Sequence, residues 1–253
     1  MKRFKGIIHV HSNYSHDGQH SLEEIVQFGT RCGYNFIGMS EHSDTLNEEK
    51  MTEYVKECQK VSSSHCLIIP GIEFTCENNL HIVGLGVQHY TEAKNPFKVT
   101  EFIQKQGGLA IIAHPTRYNY QIRADLAIMV DGIEIWNSVY DGRFVPNDKS
   151  LNLVKEIKTN NKTILAFGGQ DLHRINGNCK VETTLSCDKL NNFAILQALK
   201  EGKFTISNHY FWLDSKCDIS SLKIAKICMA RQLYYLIKWI RDNIRYPKNK
   251  NQT

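Results

Sequence analysis

Short apolar segments recur along the first two thirds of the chain, and stretches with a helical pattern separate them. Each segment has the length and apolar character of a buried β-strand. The seven predicted strands cover residues 6–10, 36–39, 66–69, 81–84, 109–113, 132–136 and 164–167. Because parallel strands need crossover connections, usually helices, this alternation predicts an α/β fold with either a parallel barrel or a doubly wound sheet.

Apolar residues lie three or four positions apart in the stretches between the strands, as they do in amphipathic helices. The predicted helices cover residues 21–32, 47–62, 149–158 and 190–200. Ser21 and Glu24 have the spacing of a capping box, in which two side chains satisfy backbone N–H groups at a helix start. The first helix should therefore begin directly after Ser21.

The C-terminal segment has a periodicity and a charge of its own. An amphipathic helix is predicted over residues 222–246, where the apolar positions recur at three- and four-residue steps: Met229, Leu233, Leu236, Ile237, Ile240 and Ile244. Residues 222–253 contain eight Lys or Arg and one acid, a net charge of +7, whereas residues 1–221 contain 23 basic and 25 acidic residues. We expect a catalytic domain over 1–221 and a basic helix and tail over 222–253.

Three interpretations of this C-terminal helix stay open. Its apolar face packs on the catalytic domain, binds a partner, or makes a peripheral contact with an anionic membrane. The sequence pI of about 8.7 comes from the tail, so it is weak grounds for nucleic-acid binding by the domain itself. The sequence leaves the oligomeric state undetermined.

The remaining composition is that of an ordinary globular protein, with 42% apolar and 23% charged residues. The eight cysteines are scattered without a CxxC pair, as expected of free thiols in a reducing compartment. Ile7 and Ile8 form the only apolar stretch before His9, too short for a signal peptide. We therefore expect a cytoplasmic protein.

Histidines and carboxylates cluster at or just past the ends of the predicted strands. The set comprises His9, His11, Asp17, His42, Glu73, His81, His114, Asp171 and His173. The carboxyl edge of parallel strands is where barrels place their active sites, which favours the barrel. Six histidines and three carboxylates at one edge are typical of a multinuclear site for zinc, manganese or iron. Glu73 directly follows an apolar segment, where an unpaired acid would be costly to bury.

The order of these motifs resembles the PHP (polymerase and histidinol phosphatase) superfamily. His-x-His, a Ser-x-Asp-Gly turn, Ser-x-His, Gly-x-Glu, His-x-x-Gly, Ala-His-Pro and Asp-x-His follow one another across residues 4–174. The resemblance implies a distorted seven-stranded (β/α) TIM-like barrel with a trinuclear metal site holding two or three divalent ions. It also implies three ligand sets, of which the first two share Glu73 as a bridging ligand: His9, His11, Glu73 and Asp171; Glu73, His81 and His114; and Asp17, His42 and His173. His16 competes with these residues for the third set.

The implied activity is phosphoester hydrolysis by a water molecule that the metal ions activate, so no side-chain nucleophile is needed. The sequence has neither a GxSxG nor a GxxxxGK[ST] motif, and no organic cofactor is expected. We expect a phosphatase acting on a small phosphorylated molecule or nucleotide. The alternatives are a nuclease for short oligonucleotides and a catalytically silent metal-binding module, and fold analogy keeps C–N hydrolysis as a third.

Three arginines follow predicted strands and are candidates for clamping a phosphate: Arg117, Arg143 and Arg174. The guanidinium group offers a fork of donors that matches phosphate oxygens. Each arginine is equally compatible with plain surface charge.

Overall fold

The computed structural model describes residues 1–142, 144–175 and 181–245, and in this part of the chain twelve strands form two six-stranded mixed sheets. The strands are β1 (Lys2–Val10), β2 (Phe36–Met39), β3 (Glu41–His42), β4 (Leu67–Ile69), β5 (Gly71–Thr75), β6 (His81–Leu85), β7 (Leu109–Ile112), β8 (Gly132–Asn137), β9 (Leu165–Gly169), β10 (Glu182–Cys187), β11 (Phe204–Ser207) and β12 (Trp212–Asp214). The first sheet has the order β12-β11-β10-β1-β2-β4, and the second has the order β3-β5-β6-β7-β8-β9. The chain therefore has an α/β fold.

Seven α-helices accompany the strands within the described residues. They are α1 (Leu22–Arg31), α2 (Glu48–Val61), α3 (Pro96–Lys105), α4 (Ala124–Met129), α5 (Asp148–Ile157), α6 (Asn192–Lys200) and α7 (Ser221–Arg245). Ser21 forms the predicted capping box with Glu24, and asparagine side chains cap four further helices, at Asn47, Asn95, Asn147 and Asn191. Local sequence thus fixes where these helices begin.

Neither sheet closes on itself among the described residues, so the distorted seven-stranded barrel expected from the sequence is not confirmed as a closed barrel. Ser40 separates β2 from β3, and Pro70 separates β4 from β5, so that each of these chain segments contributes to both sheets. Proline has no N–H to donate, which interrupts a ladder of hydrogen bonds. In addition, β6 runs antiparallel to β5 and β7, which a purely parallel barrel does not allow.

The two sheets approach each other where β1 meets the end of β9. Gln170 N donates to Ile8 O at 2.8 Å, and Leu172 N donates to His9 O at 3.1 Å. His11 N in turn donates to Leu172 O at 2.9 Å. This backbone contact brings the His-x-His segment next to the Asp-x-His segment, which lies about 160 residues later in the chain.

All seven predicted strands are present, as β1, β2, β4, β6, β7, β8 and β9, and the four predicted helices of residues 1–221 are present as α1, α2, α5 and α6. The sequence analysis missed β3, β5, β10, β11, β12, α3 and α4. The missed strands β10 to β12 extend the first sheet beyond β1.

The predicted C-terminal helix is present as α7, and its first turns join the apolar interior through Ile224 and Ile227. Tyr246 and the rest of the tail lie outside the described residues. No helix in the described ranges is long and apolar enough to cross a bilayer. The seven described cysteines are free thiols, and Cys179 lies outside the described residues.

Candidate metal centre

Glu73 occupies the middle of the polar cluster. It is on β5, with a side chain that is 2% exposed. Its Oε1 atom lies 2.8 Å from both His81 Nδ1 and His114 Nε2, and its Oε2 atom lies 3.1 Å from His42 Nδ1. Burial opposes ionisation of this carboxyl group, but the surrounding imidazoles, led by His9, hold the pKa of Glu73 well below its usual range. The surrounding imidazoles therefore favour the ionised form of this buried carboxyl group.

His9 and His11 approach the cluster from the end of β1, although not as two alternating residues of a regular strand. The strand ends at Val10, the register with β2 shifts between Ile8 and Val10, and His9 has a φ of 67°. The two histidines therefore do not alternate as neighbours on a regular strand, because the irregular register turns the backbone at His9. Both Nε2 atoms nevertheless lie 3.6 Å from Oδ1 of Asp171.

Asp171 and His173 lie on an irregular segment after β9 rather than on a regular strand. Asp171 has a φ of 51°, and the segment makes only an isolated bridge, from Leu172 to Val10. The Asp171 carboxylate faces His9 and His11, whereas His173 Nε2 lies 3.2 Å from Asp17 Oδ2. His173 Nδ1 also lies 3.6 Å from Asp171 Oδ1, so His173 lies between the carboxylates of Asp171 and Asp17.

Asp17 joins His42 and His173 at the outer side of the cluster. Its Oδ1 atom lies 3.3 Å from His42 Nε2, and its Oδ2 atom is close to His173 Nε2. His16 is a neighbour, with Nε2 3.9 Å from Asp17 Oδ2, but its side chain is 59% exposed. His16 groups with Asp17 and His42 as a potential ligand set, so the competition expected from the sequence persists in the structure.

All nine predicted ligand residues thus come together, and several of their nitrogen atoms lack partners. Of the six buried side-chain nitrogen and oxygen atoms without a hydrogen-bond partner in the described chain, three are Nε2 atoms of His9, His11 and His173. Leaving such atoms unpaired is unfavourable in a protein interior. The clusters are able to hold divalent cations, since imidazole nitrogens and carboxylate oxygens of five three-residue groups lie within 4.8 Å of one another.

Burial and the neighbouring carboxylates also shift the pKa values of the histidines. Burial lowers the pKa of His11 to about 4, which keeps its imidazole neutral, the form that binds a metal. Burial acts in the same direction on His9, but the carboxylates of Glu134, Asp171 and Glu73 outweigh it and raise the pKa of His9 well above its usual value. The cluster therefore favours a positive charge between its carboxylates.

The sequence analysis missed Glu134, which lies behind His9. This buried side chain on β8 accepts a 2.7 Å hydrogen bond from His9 Nδ1, a 2.8 Å bond from the His114 backbone N and a 3.0 Å bond from Asn137 Nδ2. A carboxylate at Nδ1 fixes the tautomer, so that Nε2 of His9 faces the cluster as a ligand atom. The available signal was an acid between Ile133 and Ile135, inside an otherwise apolar strand.

A second missed carboxylate, Glu41, supports the loop after β1. Glu41 is fully buried and accepts hydrogen bonds from Ser12 N, Ser12 Oγ and Ser15 Oγ. Ser15 Oγ also accepts from His42 N at 2.9 Å and lies 3.3 Å from His11 Nδ1. Burial raises the pKa of Glu41. This network fixes the positions of His11 and His42 relative to each other.

The cluster opens into a cleft of about 380 Å³. The cleft is lined by His16, Asp17, His42, Asp44, Glu73, Thr75, Asn79, His81, His114, Arg117, Val139, Tyr140, Asp171 and His173. Four of these residues are acids and one is an arginine, so the protein atoms alone would repel a phosphate. A cation in the cluster would reverse that local charge.

The three candidate arginines have different positions. Arg117 lines the cleft, where its Nη2 donates to Asn79 Oδ1 at 3.2 Å. Arg174 is exposed and is not among the described residues that line the cleft. Arg143 lies outside the described residues. Arg117 alone therefore keeps structural support as a phosphate contact.

Comparison with known proteins places this arrangement in a family. The sequence matches the profile of the PHP domain over residues 8–136, about half of the chain. No curated protein matches the sequence.

Solved structures share the fold at low sequence identity. A two-domain protein from Bacteroides vulgatus ATCC 8482, containing a predicted PHP-like metal-dependent phosphoesterase, matches with a TM-score of 0.62 and 17% identity, covering 84% of this chain and 66% of that protein. PsfC from Pseudomonas syringae PB-5123 matches with a TM-score of 0.58 and 13% identity, covering 92% of this chain and 98% of PsfC. The lesion-specific endonuclease Q from Pyrococcus furiosus matches with a TM-score of 0.54 and 13% identity, covering 81% and 58% of the two chains.

Proposed function

The chain belongs to the PHP domain family, and from this premise we propose that it is a metal-dependent phosphoesterase that hydrolyses a phosphomonoester of a small molecule or nucleotide. The observation that carries the proposal is the convergence on Glu73: five imidazole nitrogens lie within 3.7 Å of its carboxylate oxygens. Burying so many titratable groups together would be costly in free energy unless a cation balanced the carboxylates.

The proposed ligands form three sets, and Glu73 belongs to the first two. They are His9, His11, Glu73 and Asp171; Glu73, His81 and His114; and Asp17, His42 and His173. The close grouping of Glu73 with His81 and His114, and of His9 with His11 and Glu73, supports the first two sets. The contacts of both Asp17 oxygens with His42 and His173 support the third.

Divalent ions in these sets would lower the pKa of a water molecule, neutralise phosphate oxygens and stabilise the leaving oxygen. The chain itself contributes orientation and charge. Glu134 holds the His9 ring through Nδ1, and the Ser12, Ser15 and Glu41 network holds the loop that carries His11. Arg117, at the mouth of the cleft, would contact a phosphate oxygen by exchanging its bond to Asn79.

The size and charge of the cleft favour a small substrate. Its volume of about 380 Å³ is near the lower end of the range for small-molecule sites. Residues 1–221 have two more acids than basic residues, which gives no general attraction for a long polyanion. A single phosphate group would meet the metal ions and Arg117, while the rest of the molecule would contact Val139 and Tyr140.

A nuclease acting on oligonucleotides is the second candidate, and the endonuclease Q likeness favours it at the level of the fold alone. A complex of endonuclease Q with a 27-mer duplex carrying an abasic lesion shows that a related fold accommodates nucleic acid at its active site. A silent metal-binding module is the third candidate. The intact set of nine proposed ligands gives no sign of lost activity.

One experiment distinguishes the three candidates. Protein purified without chelator is assayed, with the metal that it retains or with added Mn²⁺ or Zn²⁺, on a panel of phosphomonoesters and on short single- and double-stranded DNA and RNA. We expect hydrolysis of at least one phosphomonoester that Asp171→Ala abolishes and His65→Ala, an exposed histidine outside the cluster, leaves unchanged. Cleavage of oligonucleotides alone would favour the nuclease, and no hydrolysis by metal-loaded protein would favour the silent module.

A further inference from the structure

Helix α7 has two apolar faces, and only one of them is covered by the described protein. Ile224 and Ile227 are 5% and 2% exposed and belong to the core. The other face is a stripe of residues that recur at helical spacing: Leu222, Met229, Leu233, Leu236, Ile237, Ile240 and Ile244. With 3.6 residues per turn, this stripe lies on the side of the helix opposite Ile224 and Ile227. Each of its residues is between 41% and 74% exposed.

The second half of α7 extends beyond the body of the protein. Every residue from 235 to 244 is exposed, whichever side of the helix it occupies. A helical segment of this length is marginal in water without tertiary contacts. Exposed apolar patches of this kind mark sites of interaction with a partner or a membrane. The structure therefore points to an occupant for the stripe.

The charges of the helix identify the chemistry of that occupant. Within α7 the basic residues are Lys223, Lys226, Arg231, Lys238, Arg241 and Arg245, and Asp242 is the only acid. Trp239, which is 64% exposed, lies beside the stripe and is the residue type that occupies the headgroup region of bilayers. An apolar stripe with cationic residues alongside is the pattern of a helix that lies in the plane of an anionic membrane. We propose that the exposed face of α7 docks on an anionic lipid surface.

Two other occupants fit these charges less well. A second copy of the chain would bring a segment of the same net charge of +7 against the first, with one acid on each to compensate. Nucleic acid would match the positive charge, but it would leave the leucine and isoleucine side chains of the stripe in water, because phosphate contacts use polar donors. The lipid surface satisfies both the apolar area and the charge.

Arg231, near the middle of α7, binds the helix to a loop that borders the cleft. Arg231 Nη1 donates to the carbonyl oxygens of Asp141 and Val145, at 3.0 and 3.1 Å, and Arg231 Nε lies 3.4 Å from Asp148 Oδ1. Tyr140, directly before Asp141, lines the cleft. Docking of α7 would consequently fix the orientation of the catalytic body relative to the lipid surface. The excess of acids in residues 1–221 would keep that body from settling on the same surface.

The test is co-sedimentation of the full chain with phosphatidylcholine vesicles, with and without phosphatidylglycerol. We expect binding only with phosphatidylglycerol, released by high salt. Each basic residue near an anionic membrane surface contributes a similar amount of binding free energy. Lys238→Gln with Arg241→Gln should therefore weaken partitioning into the vesicles roughly 30-fold. Leu236→Ser with Ile240→Ser should abolish binding. Phe193→Ser with Ile128→Ser removes two exposed apolar side chains from the body and should change nothing.

Several results would overturn the proposal. Wild-type protein that ignores both vesicle types, or binds both equally, contradicts it. Vesicle binding by the Leu236→Ser, Ile240→Ser protein that equals wild type contradicts the role of the stripe. If wild-type protein does not bind vesicles but forms a dimer in sedimentation velocity, and the Leu236→Ser, Ile240→Ser protein is a monomer, the stripe binds a second copy of the chain. If wild-type protein binds oligonucleotides more tightly than vesicles, the basic residues bind nucleic acid. Far-ultraviolet circular dichroism checks that each variant is folded, and none of these changes touches the proposed metal ligands.

Discussion

At the scale of single residues, Glu73 is the position on which the candidate site depends. Its carboxylate oxygens lie within 3.1 Å of nitrogen atoms of His42, His81 and His114, and it belongs to two of the proposed ligand sets. We predict that Glu73→Gln, which keeps the shape and removes the charge, lowers metal content and melting temperature together, because the dications lose a shared anion. Glu77→Gln, an exposed neighbour, is the matched control. A metal-loaded Glu73→Gln protein that melts like wild type would rule out the bridging role.

Glu134 provides a finer test, because it touches a proposed ligand and not the metal ions. Glu134→Gln retains a hydrogen-bonding group but removes the carboxylate that fixes the His9 tautomer. We predict a loss of metal affinity of about 10- to 100-fold, milder than that of Asp171→Ala. Calorimetric titration of the metal-free protein measures it. An affinity equal to that of wild type would show that His9 needs no such support.

The nine residues that the structure brings together could be named from the sequence, because each lies next to an apolar strand or in a recognisable motif. Glu134 and Glu41 could not. Their roles arise from partners 125 and 29 residues away, His9 and Ser12, and nothing in the local pattern announces those contacts. The competition of His16 with the third ligand set also depends on side-chain exposure, which the sequence does not give.

At the scale of elements, α7 combines a packed and an unpacked face, and a matched pair of substitutions separates them. Ile227→Ala removes a buried side chain, whereas Ile237→Ala removes one that is 56% exposed. We predict that the first lowers the free energy of unfolding by about 2 to 4 kcal/mol and the second by less than about 0.5 kcal/mol. Urea denaturation measures both. Equal effects would mean that the two faces are not differently covered in solution.

Strand existence was predictable, but strand partners were not. Periodicity located β1, β2, β4, β6, β7, β8 and β9, because apolar runs of that length are distinctive. It could not reveal that Pro70 divides one chain segment between two sheets, or that β6 runs antiparallel to its neighbours. Helix α3 was missed although Asn95 and Pro96 form a typical helix start.

The division of the chain at residue 221 remains a proposal at this scale. Ile224 and Ile227 pack into the core, so the first turns of α7 belong structurally with the preceding residues. The functional separation that we propose concerns the protruding part, which begins beyond Arg231. A chain ending after Gln232 is therefore a better choice than one ending after Ser221 for testing whether metal binding is independent of the protruding helix.

At the scale of the whole molecule, the metal ions should contribute to global stability because their ligands come from both sheets. His9 and His11 extend from β1 in the first sheet, and Glu73, His81 and His114 come from or follow strands of the second. We predict that chelation lowers the melting temperature and that restoring the metal reverses the change, since a ligand that binds only the folded state stabilises it by mass action. Differential scanning calorimetry measures the shift, with a metal-depleted Asp171→Ala protein as the control that should not respond.

The central claim is that nine residues, converging from distant parts of the chain, bind divalent ions. The most direct measurement is the ratio of metal to protein in wild-type chain purified without chelator, determined by elemental analysis beside the Asp171→Ala and His65→Ala variants. We expect two or three ions of zinc, manganese or iron per chain in wild type and His65→Ala, and fewer in Asp171→Ala. A wild-type protein that is folded and holds no divalent ion, even after equilibration with these metals, would contradict the claim.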